Sequence, residues 1–366
     1  MDLRKGSMAK GRITKTKAKP KKRSVSSLVF LLVFLAICGG GYVGYRLHQV
    51  YQPMVKLASG SYFDFFVYPN SSAEEVLRDL NKTGFILNPA ALEWVAEKKG
   101  YSSNVKAGKY LIYDNWNANQ LINLLRSGNQ NPIKLVLNSV RTIEGLAGKL
   151  GAKFVGDSIE FLHAFNSAQV AEKFGFSKST FPTMFLPNTY EMYWNYSVDQ
   201  VLGRLAKEYK KFWTEGRKAK ANQIGLGQSE VSILASIVKA ETSRRDEAPK
   251  IAGVYMNRLN KGMLLQADPT LVFALGDFKI RRVLNIHKKI DSPYNTYKYK
   301  GLPPGPINLP ELFYIDAVLN YDRHKYYYFC ASEDFSGYSN FAITYQQHLT
   351  NARRYQKALS RRGIYK

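Results

Sequence analysis

The sequence predicts an α+β protein with a single N-terminal transmembrane helix, a small α+β module and a larger mixed α+β domain. Three observations support this prediction. An uncharged apolar run follows a basic N-terminus, short strand patterns alternate with helices in the middle, and longer helical patterns dominate afterwards. The predicted segments are a basic tail 1–23, a transmembrane helix 24–46, a linker 47–59, the small module 60–145 and the larger domain 146–366.

The N-terminal segment has the composition of a membrane anchor. Residues 1–23 contain ten Lys or Arg and one Asp, and no charged residue occurs from 24 to 45. The apolar run 28–45 has about 18 residues, the lower limit for a helix that spans a bilayer. Because the basic excess precedes the run, the N-terminus is predicted to be cytoplasmic. The chain after Arg46 is then extracytoplasmic, at the cell (inner) membrane.

Two other interpretations of this segment compete with the anchor. A cleaved signal peptide requires small residues at an Ala-x-Ala-like site, and the apolar run offers no convincing one. A lipoprotein signal ending at Cys38 fits Leu35 and Ala36. However, Ile37 occupies the position that usually holds a small residue. An uncleaved single-span anchor is therefore the preferred interpretation.

The charge and the cysteine and histidine content limit the function classes. The net charge is +25, of which residues 1–23 supply +9. The remaining +16 favours an anionic partner, and an extracytoplasmic location excludes nucleic acid and leaves wall polymer or lipid headgroups. Cys38 and Cys330 cannot pair within one chain, since one is predicted to be in the membrane. The five histidines are scattered without a metal-binding motif, so neither a metal nor another cofactor is expected.

The small module is predicted from short strands and capped helices. The aromatic run 62–68 is typical of a strand, and Ser72 with Glu75 forms a capping box that opens a helix. Further elements are predicted as a helix 90–99, a strand 107–113, a helix capped by Asn117 or Asn119, a strand 133–137 and a helix from 142. Without a titratable cluster, the module is predicted to bind or position a ligand, or alternatively only to support the larger domain.

The larger domain carries one glutamate on the apolar side of a predicted helix. From a cap at Ser229, apolar residues recur at helical spacing at Val231, Leu234, Ile237 and Val238. Glu241 continues this series, so its carboxyl is predicted to be partly desolvated, which raises a carboxyl pKa toward neutrality. Such a group can act as a general acid. The alternative is a helix-end carboxylate paired with Arg244 or Arg245.

Polar and aromatic residues that follow this helix are candidates for a sugar-binding cleft. A second helix is predicted from Asp246 or Glu247, which places Glu241 at a corner. Gln266 and Asp268 fall in a predicted loop, and Tyr294 and Asn295 precede the proline- and glycine-rich segment 301–307. Aromatic rings stack on sugars and amides bind hydroxyls, so this segment is a plausible cleft wall; the alternative is an ordinary surface loop.

Several short motifs occur in an order that carries a family resemblance. They are ASIVKAET at 235–242, NRL at 257–259, LQADPT at 265–270, YNTY at 294–297, GLPPGPI at 301–307 and the C-terminal YQQHLTNARRYQKAL. With an AGKY segment around Tyr110, they make the chain resemble the endolytic murein transglycosylase family (MltG or YceG-like). The resemblance covers nearly everything after the predicted span.

The resemblance implies an activity and a topology. It implies a single-pass membrane protein whose residues 60–145 are LysM-like and whose residues 146–366 form the catalytic domain. It implies a lyase that cleaves the MurNAc–GlcNAc bond within nascent peptidoglycan glycan strands, leaves 1,6-anhydroMurNAc ends, and terminates strand elongation beside peptidoglycan synthases. The family's catalytic glutamate corresponds to Glu241. Gln266, Asp268, Tyr294 and Asn295 are then expected to contact substrate or orient Glu241.

The chain departs from the family pattern at three positions. Lys239 stands where many relatives have a second glutamate, Asn188 replaces the aspartate of a PDTY motif, and residues 138–140 replace a PEG-type turn. Two other functions stay open. One is a muramidase-type hydrolase in which Asp268 supplies a second carboxylate. The other is a non-catalytic peptidoglycan-binding scaffold in which Glu241 is structural.

Overall fold

The computed structural model describes Met1, residues 25–138 and residues 140–363. The predicted basic tail 1–23 therefore lies outside the described residues except for Met1, and so does Ser139 of the 138–140 turn. Over the described ranges, helices are combined with two-stranded antiparallel sheets. This confirms the predicted mixed α+β class.

The first element is a long apolar helix, α1 (Val25–Tyr51). Its residues Leu28–Tyr51 are long and apolar enough to cross a membrane, and the side chains of residues 28–45 are exposed. The helix continues beyond the predicted end at residue 46. The Arg46 guanidinium lies 5.0 Å from the ring centroid of Trp94, so the end of α1 contacts the small module.

The small module has its own hydrophobic core. It comprises β1 (Tyr62–Val67), α2 (Ala73–Lys82), α3 (Pro89–Lys98), β2 (Gly108–Tyr113) and α4 (Ala118–Ser127), with β1 and β2 paired antiparallel. Ser72 and Glu75 form the predicted capping box, and Asn117 caps α4. The sequence locates these elements to within about two residues because their caps and apolar spacing are local signals.

Residues of the predicted linker 47–59 belong to this core. Met54, Val55 and Leu57 are buried among the apolar residues of the module. The backbone amides of Met54 and Val55 donate to the carbonyl of Trp116, and Val55 forms a bridge to Ile86. Because the backbone is tied down on both sides, the segment packs into the module and is not a free connection between it and α1.

The larger core begins at β3 (Ile133–Leu137), before the predicted boundary at residue 146. β3 pairs antiparallel with β4 (Asn188–Met192), and Leu135 and Leu137 are buried in the larger core. A strand pattern gives no information about its partner, which lies here about 50 residues further along the chain. The change of core therefore falls between α4 and β3.

The larger domain is mainly helical around one central helix. Its remaining elements are α5 (Ile143–Gly151), α6 (Ser158–Asn166), α7 (Ala168–Lys173), α8 (Val198–Phe212), α9 (Glu215–Gln223), α10 (Gln228–Glu241), α11 (Ala248–Asn260), α12 (Asp268–Leu275), α13 (Leu312–Leu319), β5 (Tyr328–Ala331), β6 (Ser339–Ala342) and α14 (Tyr345–Arg361). Helix α10 is buried on all sides from Val231 to Val238, so it forms the centre of the domain.

Two local predictions in this domain are wrong. Helix α10 begins one residue before Ser229, and the side chain of Glu230 accepts a hydrogen bond from the Gly227 amide at its start. Asp268, predicted in a loop, is the first residue of α12, because Pro269 occupies a first-turn position that tolerates its missing amide hydrogen.

The small module and the larger domain meet at an aromatic contact. The Trp194 ring lies 4.9 Å from Phe66 and 5.0 Å from Tyr68, measured between centroids, and both pairs are edge-to-face. The Asn195 amide donates to the carbonyl of Ala107 at 2.9 Å. The residues after β4 therefore fix the larger domain against the β1–β2 sheet.

Candidate active site

Glu241 lies at the corner between two helices. It is the last residue of α10, and α11 returns after a turn of six residues. The Tyr255 hydroxyl, on α11, donates a hydrogen bond of 2.8 Å to Glu241 Oε1. The Tyr314 hydroxyl donates to the carbonyl of Thr242 at 3.1 Å and so fixes the end of the helix. The predicted inward projection of Glu241 is confirmed.

Burial controls the protonation of Glu241. The pKa of the Glu241 carboxyl is raised from 4.5 to about 7, mainly by burial and to a smaller extent by the negative charge of Asp268. The hydrogen bond from Tyr255 and the charge of Arg258 lower this pKa, but their effect is smaller than that of burial. Glu241 is therefore about half protonated at neutral pH, the state that a general acid requires.

The two arginines predicted as alternative partners of Glu241 are engaged elsewhere. Arg244 lies 3.6 Å from Asp246 and stacks on the Tyr338 ring, with 3.8 Å from its guanidinium carbon to the centroid. Arg245 lies over the ring of Phe313 at 5.4 Å. A helix-end ion pair does not account for Glu241.

Two cavities meet at Glu241. The first, which we call the aromatic arm, has a volume of about 660 Å³, and its walls include Tyr297, Tyr328, Phe335, Tyr338 and Tyr345. The second has a volume of about 530 Å³, and its walls include Arg141, Lys239, Phe273, Phe278, Arg281 and Asn308. Glu241 and Asp268 line both cavities, so the carboxyl stands between two open spaces.

The second cavity continues into a third one of about 760 Å³. The two share Arg141, Phe273, Phe278 and Asn308, and the third adds Lys178 and Tyr294. We call these two contiguous cavities the basic arm. The aromatic and basic arms together form a cleft that is open on both sides of Glu241, as required for binding part of a polymer rather than its end.

Asp268 and Gln266 both face this cleft. Asp268 is exposed at the start of α12 and accepts a hydrogen bond from the Tyr297 hydroxyl. Gln266 is exposed on the aromatic arm, and its Oε1 accepts a hydrogen bond of 3.3 Å from Arg258. Gln266 has a φ of +53°. This conformation is held by the hydrogen bond from the backbone N–H of Gln266 to the carbonyl of Thr296.

Asn295 and Tyr294 do not lie beside Glu241. Asn295 is fully buried, and its amide group donates to the carbonyls of Lys288 and Ile290. The prediction that Asn295 contacts substrate is therefore wrong, since its side chain is committed to holding the loop. The Tyr294 ring packs against Phe273 in a tilted arrangement, at 4.8 Å between centroids, and lines the outer cavity of the basic arm.

Three further residues of the site are not among the sequence-predicted ones. Tyr255 orients Glu241, Tyr297 binds Asp268, and Asn308 lines the basic arm. The Asn308 Nδ2 donates to the carbonyl of Ser236 at 2.8 Å, whereas its buried Oδ1 has no hydrogen-bond partner within the described chain. Tyr255 was recognisable as an inward residue of α11, but its partner was not.

Comparison with known proteins identifies the family. The YceG-like family model matches residues 65–354. The chain belongs to the YceG-like family. A protein of Streptococcus pneumoniae (serotype 2, strain D39) named endolytic murein transglycosylase is 27% identical over 340 residues, covering 83% of this chain and 60% of that protein. A Bacillus subtilis protein of the same name is 35% identical over 152 residues, covering 42% of this chain and 41% of that protein.

The solved structure of a YceG-like protein from Listeria monocytogenes has the same fold. It superposes with a TM-score of 0.54 at 23% identity, covering 80% of this chain and 99% of the Listeria chain. This YceG-like chain spans about 60% of the length of its Streptococcus relative. The comparisons therefore establish the family and the fold, and the activity must be argued from the site.

Replacing Glu241 by Gln is expected to stabilise the protein above neutral pH. Well below pH 4.5 Glu241 is neutral in both the folded and unfolded states. Between pH 4.5 and about 7 the unfolded state ionises before the folded state, so the wild type loses about 3 kcal/mol of stability, and this loss is complete above the folded-state pKa. Urea unfolding should therefore give equal stabilities near pH 4 and a more stable Glu241→Gln variant near pH 8. A variant that is less stable at both pH values would mean that Glu241 is mainly structural.

Replacing Tyr255 by Phe is expected to destabilise the protein most when Glu241 is ionised. The lost hydrogen bond then has a charged acceptor, for which we expect about 2 kcal/mol. The cost of Tyr255→Phe should therefore grow between pH 5 and pH 8 in the wild-type background and stay constant in the Glu241→Gln background.

Tyr314→Phe is the matched control for this cycle. It removes a hydroxyl that donates to the neutral carbonyl of Thr242, next to Glu241 in the chain. Its cost should not depend on pH. An equal pH dependence for both tyrosines would contradict a specific effect of Tyr255 on the Glu241 carboxyl.

Proposed function

We propose that this protein is a membrane-anchored endolytic murein transglycosylase. It cleaves the MurNAc–GlcNAc bond within nascent glycan strands, leaves 1,6-anhydroMurNAc ends, and thereby terminates strand elongation. The observation that carries the proposal is the Glu241 carboxyl, with a pKa of about 7, at the junction of two open arms. Membership of the YceG-like family, with relatives named endolytic murein transglycosylase, supports it.

One carboxyl is sufficient for this reaction. Protonated Glu241 gives its proton to the glycosidic oxygen as the bond from C1 of MurNAc to that oxygen breaks. The resulting carboxylate takes the proton of the C6 hydroxyl of the same MurNAc, and the oxygen of that hydroxyl forms the new bond to C1. The proton lost in the first step is regained in the second, and no water is consumed. A pKa near the working pH suits a group that performs both steps.

Tyr255 orients the acid for this exchange. Its hydroxyl donates a hydrogen bond to Glu241 Oε1, so the exchangeable proton of Glu241 is carried on Oε2. The bond also stabilises the carboxylate that forms after the first proton transfer, which limits how far burial raises the pKa of Glu241.

A two-carboxylate hydrolase is the second candidate. Asp268 lines both arms with Glu241, and its charge contributes to the raised pKa of Glu241, so the two carboxyl groups are electrostatically coupled. In a hydrolase, Asp268 would activate a water molecule or act as nucleophile. Its hydrogen bond from Tyr297 and its place at the start of α12 also fit a role in holding the substrate.

Helix α1 and the small module would hold the enzyme near nascent strands. We propose that α1 anchors the protein in the cell membrane with the cleft on the extracytoplasmic side, as its length and apolar composition allow. We also propose that the small module is LysM-like and binds glycan, and that peptidoglycan synthases are partners. Anchoring and glycan binding would raise the local concentration of nascent strands at the cleft.

Mass spectrometry of purified murein glycan incubated with the full chain in detergent tests this function. We expect products one water lighter than hydrolytic ones, at least 100-fold less cleavage by Glu241→Gln, and anhydro ends retained by Asp268→Asn. Reducing-end products that disappear in Asp268→Asn would establish the hydrolase instead. Equal cleavage by Glu241→Gln and the wild type would exclude Glu241 as the acid. No cleavage by the membrane-anchored wild type would favour a scaffold.

A further inference from the structure

We propose that the basic arm binds the carboxylates of the stem peptides that muramyl residues carry. The enzyme would then prefer peptide-bearing glycan to glycan from which the stems have been removed. This inference rests on the proposed function and adds a substrate specificity to the same cleft. The observation that supports this inference is the difference in charge between the basic arm and the aromatic arm.

The basic arm contains cations without acidic partners. Arg141, Lys178 and Arg281 are exposed on its walls, and none of them forms an ion pair with another residue in the described ranges. The guanidinium of Arg141 lies 5.5 Å from the centroid of the Phe278 ring, which supports it against the wall shared by the two cavities. Lys239 differs, because it contacts Glu311 at 3.0 Å and donates to the carbonyl of Leu309.

Among the described residues, the lining of the aromatic arm includes no comparable cation. Arg258 lines it, but its guanidinium donates to the carbonyls of Tyr327 and Leu265 and lies over the Tyr328 ring. The Arg258 guanidinium is therefore occupied by contacts within the protein. Rings such as Tyr297 and Tyr345 also line this arm and suit the faces of neutral sugars.

The chemistry of peptidoglycan assigns a ligand to the unpaired cations. The glycan backbone is uncharged, so cations gain nothing from bare sugar rings. The muramyl residues carry peptides through their lactyl groups. These peptides have carboxylates at their ends and on their side chains. Guanidinium groups bind carboxylates through paired hydrogen bonds, and the outer cavity of about 760 Å³ gives a side chain of the strand space beyond Glu241.

The lactyl group is a second possible source of a carboxylate for the cations of the basic arm. When an amidase removes the stem, the lactyl carboxylate becomes free, whereas the carboxylates of the peptide are lost. Fragments with unamidated stems and the same fragments after amidase treatment therefore separate the two sources.

Binding of these two ligands to the full chain in detergent tests the proposal. Isothermal titration calorimetry would compare Arg141→Gln/Arg281→Gln with the parent chain, all carrying Glu241→Gln so that no ligand is cleaved. We expect the double variant to bind stem-bearing fragments at least about tenfold more weakly, since it loses two charge-assisted contacts. Its binding of amidase-treated fragments should change less than about twofold. The matched control is Lys207→Gln/Lys211→Gln, which removes the same charge from the exposed side of α8 and should change neither affinity.

Three results would overturn the proposal. An equal loss for both ligands would show that the arginines bind the backbone or the lactyl carboxylate. An equal loss in the α8 control would indicate general electrostatic attraction, and no loss would exclude these arginines. Because binding is measured without turnover, a stem preference in a chain that cleaves nothing would refute only the proposed function. Cleavage without a stem preference would refute only this inference.

Discussion

The burial of one carboxyl group at the end of α10 is the constraint on which the site depends. A carboxylate in this position loses hydration that the protein only partly replaces, so burial outweighs the stabilising contacts of Tyr255 and Arg258 and raises the pKa of Glu241 to about 7. The carboxyl can stay there because the helix before it is buried on every side and α11 packs directly behind it. The hydrophobic core thus determines the protonation of the Glu241 carboxyl.

The surrounding architecture keeps this carboxyl accessible. The chain turns after Thr242, and α12 and the segment 294–308 both contribute residues to the walls of the basic arm. Close packing fixes one of these walls: a Cβ at Gly305 would lie 2.2 Å from the Ser179 carbonyl oxygen, so only glycine fits there. The asymmetry between an aromatic and a basic arm gives the cleft a direction, and a strand with charged branches would be bound in one orientation.

Local signals made much of the fold predictable. The capping box of Ser72 and Glu75, the β1–β2 strands and the inward position of Glu241 each depend on residues a few positions apart. The partner of β3 was not predictable, because strand pairing across about 50 residues leaves no mark in the strand itself. The position of Asp268 at the start of α12 is ambiguous in sequence, because Pro269 fits a loop as well as the first turn of a helix.

The polar side chains of the site were harder to assign than the carboxyl. An asparagine in a loop can bind a ligand or satisfy buried backbone carbonyls, and Asn295 does the latter. Tyr255 and Asn308 reach the site from α11 and from the loop before α13, and only the tertiary fold brings them together. The division of the cleft into two arms likewise follows from contacts between distant segments, and no single motif encodes it.

Direct titration of the Glu241 carboxyl tests the central claim most sharply. Infrared difference spectra between the wild type and Glu241→Gln isolate the C=O stretch of this one protonated carboxyl across a pH series. The account predicts a band that disappears with a midpoint near pH 7. A midpoint near the ordinary value of 4.5 would show that Glu241 is ionised at neutral pH, and it would contradict its assignment as the general acid.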